Sequence, residues 1–289
     1  MKTRECIQSD LERVCEILDS YELPTKDIHN IDLSGFYVAE IENTVIGVGG
    51  IEEKGPIALI RSIAVDRKFA GRGIGKIIYE KIEQYAFSNG IIRLYLLTTT
   101  ASQYFVNLGY EILDRNLSPV PIKSSEQFNN LCPASAILMH KSLSQVQSKT
   151  EFDSGLYCAE SVLSTIAEHF DIKSDLIPKI ATGFCSGMAR TCGTCGAVTG
   201  AILAINMISG RESASNSVEH NYDSVQKLVN EFEKMYGSTN CQELLNCNLG
   251  DENGQIEFKA QELHNKCREY TGMAADLAAS IISSERYKL

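Results

Sequence analysis

The segment from Ile57 to Lys76 constrains this chain most. An apolar, β-branched run, Ile57 to Val65, gives way to Asp66-Arg67-Lys68-Phe69-Ala70 and then to Gly71-Arg72-Gly73-Ile74-Gly75-Lys76. Ile74, Ile77, Ile78, Ile82, Tyr85 and Ala86 come next at helical spacing, so the order is strand, glycine-rich turn, helix. Glycines let the main chain come close to a ligand, and the unpaired amides and positive dipole end of the following helix favour a pyrophosphate. Arg72 and Lys76 add positive charge. Two other phosphate-binding loops fail on spacing. A Walker A loop needs four residues between its first glycine and Gly-Lys, then Ser or Thr; here three precede Gly75-Lys76, and Ile77 comes after. The dinucleotide fingerprint would need glycine where Lys76 stands.

Around this segment the first half alternates strand and helix signals. Strands are expected over 2–7, 36–41, 44–50, 57–65, 91–98, 110–113 and 134–139, with a tight turn at Glu42-Asn43. Ser9-Asp10-Leu11-Glu12 has capping-box spacing ahead of a helix carrying Leu11, Val14, Cys15 and Leu18, and a short helix is expected over 101–108. Residues 144–150 are polar and aperiodic and read as a linker. Beyond them strand signals fade. Cys158, Val162, Ile166 and Phe170 step by four, Val225, Leu228, Val229, Phe232, Met235 and Tyr236 mark another helical face, and 195–208 is apolar nearly all round. The expected organisation is therefore α/β plus all-α. A mixed central sheet flanked by helices spans 1–143, a linker 144–150, and a cysteine-rich helical domain 151–289.

A formal net charge of −10 disfavours a nucleic-acid partner, which needs basic stripes against the phosphate backbone. No apolar run is long enough to span a membrane, and the polar amino terminus carries no export signal, so a cytoplasmic location is expected. Of ten cysteines, Cys6, Cys15 and Cys132 lie in the first half and the other seven crowd the second. In a chain of this kind the cysteines are expected to be free thiols, metal ligands or redox pairs rather than a permanent disulfide framework.

Gly73-Ile74-Gly75, at the end of its loop after a central strand and before a further strand and helix, resembles the acetyl-coenzyme A signature of the GNAT family over residues 1 to about 143. The resemblance implies an acetyl-CoA-dependent N-acetyltransferase acting on a small-molecule amine. Main-chain groups of Ile63, Ala64 and Val65 would face the pantetheine arm. Amides of Gly71, Arg72, Gly73, Ile74, Gly75 and Lys76 would hold the pyrophosphate, and a backbone N–H near Ile63 would stabilise the oxyanion. Two positions depart from the family. Ala70 replaces its usual Gln or Arg, and Tyr104-Phe105 reverses its Phe-Tyr pair, leaving Phe105 where the tyrosine acid commonly stands. Tyr104 is then the remaining candidate acid and Arg61 the first candidate anchor for a substrate carboxylate, with Glu40, Glu52 and Glu53 as candidate bases. Arg115 to Pro121, Gln127-Phe128 and Leu131-Cys132-Pro133-Ala134-Ser135-Ala136 resemble GNAT proteins associated with arsenic resistance, which places Cys132 near the acceptor.

Cys192-Gly193-Thr194-Cys195 joins a C-x-x-C pair to a helix start, a setting that lowers a thiol pKa. The order Cys158, Cys195-Gly196-Ala197-x-x-Gly200, Cys241, Cys267 resembles the C_GCAxxG_C_C family of redox-active proteins over about 151–285. Cys158, Cys192, Cys195, Cys241 and Cys267 are therefore the candidate redox or ligand set, for disulfide exchange with a thiol-redox partner or for a metal, a metalloid or an Fe–S cluster. Gly196 and Gly200 offer a small-residue face on which helices could approach closely. The expected protein is an N-acetyltransferase fused to a thiol module serving arsenic or oxidant resistance, with a homodimer among the expected assemblies. The alternative is a non-catalytic acyl-CoA or metalloid sensor.

Overall fold

The computed structural model describes residues 1–287; residues 288 and 289, the end of the expected second domain, lie outside the described residues. The chain divides into two compact units, Met1–Lys141 and Ser142–Leu289.

The first unit is built on strands β1 (Lys2–Glu5), β2 (Tyr37–Ile41), β3 (Thr44–Lys54), β4 (Ile57–Val65), β5 (Arg93–Thr98), β6 (Glu111–Leu113) and β7 (Ile137–Ser142), in the order β1-β2-β3-β4-β5-β7-β6. Strands β1 to β4 form an antiparallel meander. Glu42 (φ 50°) and Asn43 (φ 62°) turn β2 into β3, as a two-residue hairpin requires. Helices α1 (Leu11–Asp19), α2 (Ile74–Ser88), α3 (Ser102–Asn107) and α4 (Val120–Lys123) complete the unit.

Helix α1 buries Leu11, Val14, Ile17 and Leu18 against Phe36, Val38 and Val48, and α2 buries Ile74, Ile78, Tyr79, Ile82 and Ala86. The expected cap of α1 takes another form. The Asp10 carboxylate accepts from Ile7 N–H (2.9 Å) and from Arg4 (2.7 and 2.9 Å), so it ties the helix entry to β1 instead of capping α1 itself.

The second unit is helical: α5 (Leu143–Asp153), α6 (Cys158–His169), α7 (Cys185–Arg190), α8 (Gly196–Ser209), α9 (Glu219–Tyr236), α10 (Cys241–Leu245), α11 (Glu252–Ala260) and α12 (His264–Tyr287). Residues 144–150, read as a linker, are helical, and the reason they lack an apolar period is visible. Ser144 and Ser148 are buried side chains of α5, and its ties to α12 are polar: Ser142 Oγ donates to Asp276 (2.7 Å), Lys149 pairs with Glu269 (2.5 Å) and Arg268 grips Asp153 (2.8 Å).

Helix α8 lies against α6 through glycine. A Cβ at Gly200 would sit 2.6 Å from the Ala159 carbonyl oxygen, so only glycine permits this backbone-to-backbone approach. Segment α7 departs from ordinary helix: Ser186, Gly187, Met188 and Ala189 have φ of 54°, 65°, 59° and 56°, and Arg190 comes next at 67°. A left-handed run of non-glycine residues costs about 1–2 kcal/mol per residue, so this turn is held in place by its surroundings.

Candidate functional site

In the first unit the site grows out of an irregularity in β4. Strand β4 pairs in parallel with β5 only from Ile57 to Ile60, opposite Arg93 to Leu96. Past Ile60 the two strands have no further pairing, because Ser62 takes φ 59° and the β3–β4 register slips there by one residue. A bulge of this kind bends the strand and re-aims the residues beyond it. Ala64 pairs with Val48, and Asp66 N–H donates to Ile46 (2.8 Å). In an antiparallel ladder main-chain direction alternates, so Ile63 and Val65 turn their N–H and C=O groups away from β3. The Val65 carbonyl accepts the Tyr21 hydroxyl at 2.9 Å, so one of these groups is already engaged.

The widened gap opens into a cavity of about 760 Å³ whose wall runs from Arg61 to Val65, through Gly71 to Lys76, and on to Tyr104 and Cys132. At one end lies the glycine-rich turn. Asp66 holds it by accepting from Lys68 N–H (2.9 Å) and by pairing with Arg13. Gly73 stands at φ 77° as the residue before α2, with no side chain capping the helix. Lys76 and Ile77 N–H both return to the Gly73 carbonyl (3.1 and 3.2 Å), which leaves the Ile74 and Gly75 amides at the helix start facing the cavity end without an acceptor among the described residues. Such a turn can hold an anion through main-chain donors. Lys76 points partly to Glu80, 3.8 Å away, and Arg72 stacks on Phe69.

At the other end stands Arg61, and here the structure corrects the expectation. Its guanidinium is fully buried and committed: it donates to both Asp27 oxygens (2.6 and 2.8 Å), reaches Glu52 (3.5 Å), and is met by the Gln127 carboxamide oxygen at 3.0 and 3.1 Å. Nothing is left to bind a substrate carboxylate. Burial works to raise the Asp27 carboxyl, and the Arg61 hydrogen bonds and charge overcome it and hold it below its ordinary range. Glu52 also pairs with Lys54 (2.5 Å), Glu53 accepts from Tyr85 (2.9 Å) and Glu40 from Arg4 (2.7 Å), so all three candidate bases are engaged. The sequence marks Gln127 only within a resemblance; its pairing with Arg61, 66 positions away, is revealed by no local pattern. Cys132 donates its N–H to the Gln127 carbonyl (2.9 Å), and its sulfur lies 3.8 Å from the Gln127 carboxamide. Burial raises the Cys132 thiol, against the lowering charges of Arg115 and Arg61.

Tyr104 and Phe105 separate as helix geometry demands. Phe105 is buried against Tyr110, ring centroids 5.6 Å apart, while Tyr104 faces the cavity with its hydroxyl 3.9 Å from the Cβ position of Gly75. Tyr104 therefore stands at the phosphate end, and burial keeps its hydroxyl protonated above the ordinary range.

In the second unit all seven thiols are free, and their grouping differs from the C-x-x-C expectation. Cys192, at φ 60°, turns its thiol to the Asn248 carboxamide oxygen (2.9 Å). Cys195 is buried at the start of α8, where burial pushes it up to about 12 despite the lowering amides of Ala197 and Val198, so the helix start does not yield a low pKa. Desolvation outweighs the dipole here. Burial likewise raises Cys241 to about 11 and Cys267 to about 12, with Cys195 and Cys241 adding to the effect on Cys267. Cys195 and Cys241 thus lie near enough to Cys267 to act on its charge. Cys158 has a different partner, Cys185, through a side-chain hydrogen bond. Among the described residues no three His, Cys, Asp or Glu side chains are arranged to hold a metal ion. The donor set does not fit that group.

These pKa shifts carry an expected result. Alkylation of Cys195, Cys241 and Cys267 should quicken about tenfold per pH unit between pH 7 and 10, following the thiolate fraction, as read by peptide mass spectrometry. Fast, pH-independent labelling of any of the three at pH 7 contradicts it.

Residues 5–110 match the family described as Acetyltransferase (GNAT) family. The mixed sheet and flanking helices of the first unit are GNAT-like. Residues 156–281 match the family described as "Putative redox-active protein (C_GCAxxG_C_C)". The chain is 28% identical over 121 residues to an "Uncharacterized N-acetyltransferase CT2212" of Chlorobaculum tepidum, covering 39% of this chain and 77% of that protein. An "Uncharacterized protein" of Archaeoglobus fulgidus is 25% identical over 138 residues, covering 45% and 86%. Among solved structures, Rv2747 from Mycobacterium tuberculosis in complex with CoA and NLQ is 21% identical, covering 49% of this chain and 99% of that one, with a TM-score of 0.44.

Proposed function

We propose that the first unit transfers an acetyl group from acetyl-CoA to a small-molecule amine. The observation that carries this is the cavity at the β4–β5 gap, which joins main-chain groups turned away from β3 to a glycine-rich turn with open amides. In this reading Ile63, Ala64 and Val65 run beside the pantetheine arm, as an added strand would. Amides from Gly71 to Lys76 hold the pyrophosphate. The acceptor amine attacks the thioester directly from the side walled by Cys132, and Ile63 N–H stabilises the oxyanion. The thiolate leaves without an acid from Phe105, which has no proton to give; a thiol needs less help than an alkoxide. Acetyl-CoA-dependent acetylation of an amine library by the full chain tests the proposal. CoA binding with no turnover would instead favour the sensor reading, to which Phe105 lends weight.

Tyr104, beside Gly75, serves the coenzyme rather than the leaving group. Tyr104→Phe is therefore expected to change kcat less than about threefold, whereas loss of a true general acid removes about 10²–10⁴-fold. A drop of that size would restore Tyr104 as the acid.

The second unit we read as a dithiol redox module, supported by seven free thiols, of which Cys158 with Cys185 and Cys195 with Cys241 and Cys267 form two groups. Together the halves fit a cytoplasmic role in oxidant or arsenic resistance. No described helix is long and apolar enough to cross a membrane.

A further inference from the structure

The strained turn of α7 and the thiol beneath it point beyond the four-cysteine pattern. Cys185 is not among the cysteines of that pattern, yet it is 4% exposed, beside Cys158 at 8%. Both press on one glycine: a Cβ at Gly196 would lie 2.3 Å from Cys158 Sγ and 3.1 Å from Cys185 Cα. Glycine at 196 is thus what lets the two cysteines meet over the start of α8. The Cys185 sulfur also rests on the amino-terminal end of α6, where the amides of Ala159 and Glu160 donate to it. Cys185 Sγ also donates to the Ala181 carbonyl (3.7 Å), while Cys192 meets Asn248 and Cys247 the Gly254 carbonyl (3.1 Å).

We propose that Cys158 and Cys185 form a dithiol–disulfide couple whose oxidant is a low-molecular-weight disulfide such as glutathione disulfide. This rests on reading the second unit as a redox module and names the pair that does the chemistry. A sulfur–sulfur bond forms between Cys158 and Cys185 as the oxidant's own breaks. The two protons and two electrons leave with two glutathione thiols. Burial and the hydrogen bond with Cys158 raise the Cys185 thiol, so exchange proceeds when the buried pair opens to solvent. Residues 186–190, left-handed throughout, follow Cys185 directly, and release from this unfavourable backbone geometry favours such opening. Because Gly187 lies under Cys241, with a Cβ there only 2.6 Å from Cys241 Cβ, the same opening also exposes the second thiol group.

The test uses the reduced full chain, incubated with glutathione disulfide, alkylated, and digested with trypsin without reduction. Lys149, Lys173, Lys179 and Arg190 place the two cysteines on separate peptides, 150–173 and 180–190. The expected product is these two joined, with the loss of two free thiols, and loss of the crosslink in Cys185→Ser. Cys158 joined instead to Cys195, Cys241 or Cys267 would overturn the pairing and leave the redox reading standing. Ten thiols still free after oxidation would overturn both.

Discussion

Arg61→Met is expected to destabilise the GNAT unit by about 3–5 kcal/mol, the usual result of removing one partner of a buried, hydrogen-bonded ion pair. Methionine fills much of the volume but leaves the Asp27 carboxylate, only part exposed, with no counter-charge and strands the Gln127 carboxamide oxygen. The loss should show in calorimetry of the full chain as a lowered transition of one unit, with the helical unit's transition in place. It should also depend on pH in a definite direction. With Arg61 present, the folded-state pKa of Asp27 is depressed, so its contribution is present above the unfolded carboxylate value near 4 and is lost as pH falls through the folded value. The difference between wild type and variant is therefore greatest at neutral pH and narrows below about pH 4. A difference below about 1 kcal/mol at pH 7 would mean that the pair is solvated after all. Arg61→Lys should recover part of the loss, because it restores charge without the fork that meets both Asp27 oxygens.

Arg61 also shows where sequence reasoning stops. Its place on β4 beside the loop makes it a natural anchor for substrate. What disqualifies it is Asp27 and Gln127, partners 34 and 66 positions away that only the folded chain brings together. Local signals fare better. The run Ile57 to Val65 is strand β4 over the same residues, and the helical spacing from Ile74 to Ala86 is α2. The bulge at Ser62, which opens the cavity, leaves no mark in composition because a serine at φ 59° looks like any serine. Helix α5 is hidden for the opposite reason: its buried face carries Ser144 and Ser148, so the apolar period that announces a helix is missing. Among the cysteines, proximity in sequence misleads. Cys192 and Cys195 are a C-x-x-C pair on paper, but positive φ at Cys192 turns its thiol toward Asn248, while Cys195 faces Cys241.

Gly73→Val is expected to weaken CoA binding about 10–100-fold, or about 1.4–2.8 kcal/mol. The wild-type residue sits at φ 77° and ψ 1°, a region that a β-branched side chain strongly avoids. A Cβ at Gly73 would meet nothing within 4 Å, so the effect cannot come from a clash inside the free protein. Two consequences remain. The backbone must leave the left-handed region, which swings the Ile74 and Gly75 amides off their common direction, and the new side chain enters the open space in which a pyrophosphate would approach them. Gly237 supplies the control, because it has φ 81°, closes α9 and is equally open. Gly237→Val carries the same backbone strain with no bearing on the cavity, so titration calorimetry with CoA should return the wild-type affinity. Gly73→Asn, which tolerates the left-handed region, should lose less than valine. Equal affinity in Gly73→Val and wild type would remove the turn from the binding site. Equal weakening in both valine variants would assign the effect to stability alone, and only the asymmetric outcome ties the open amides before α2 to the coenzyme.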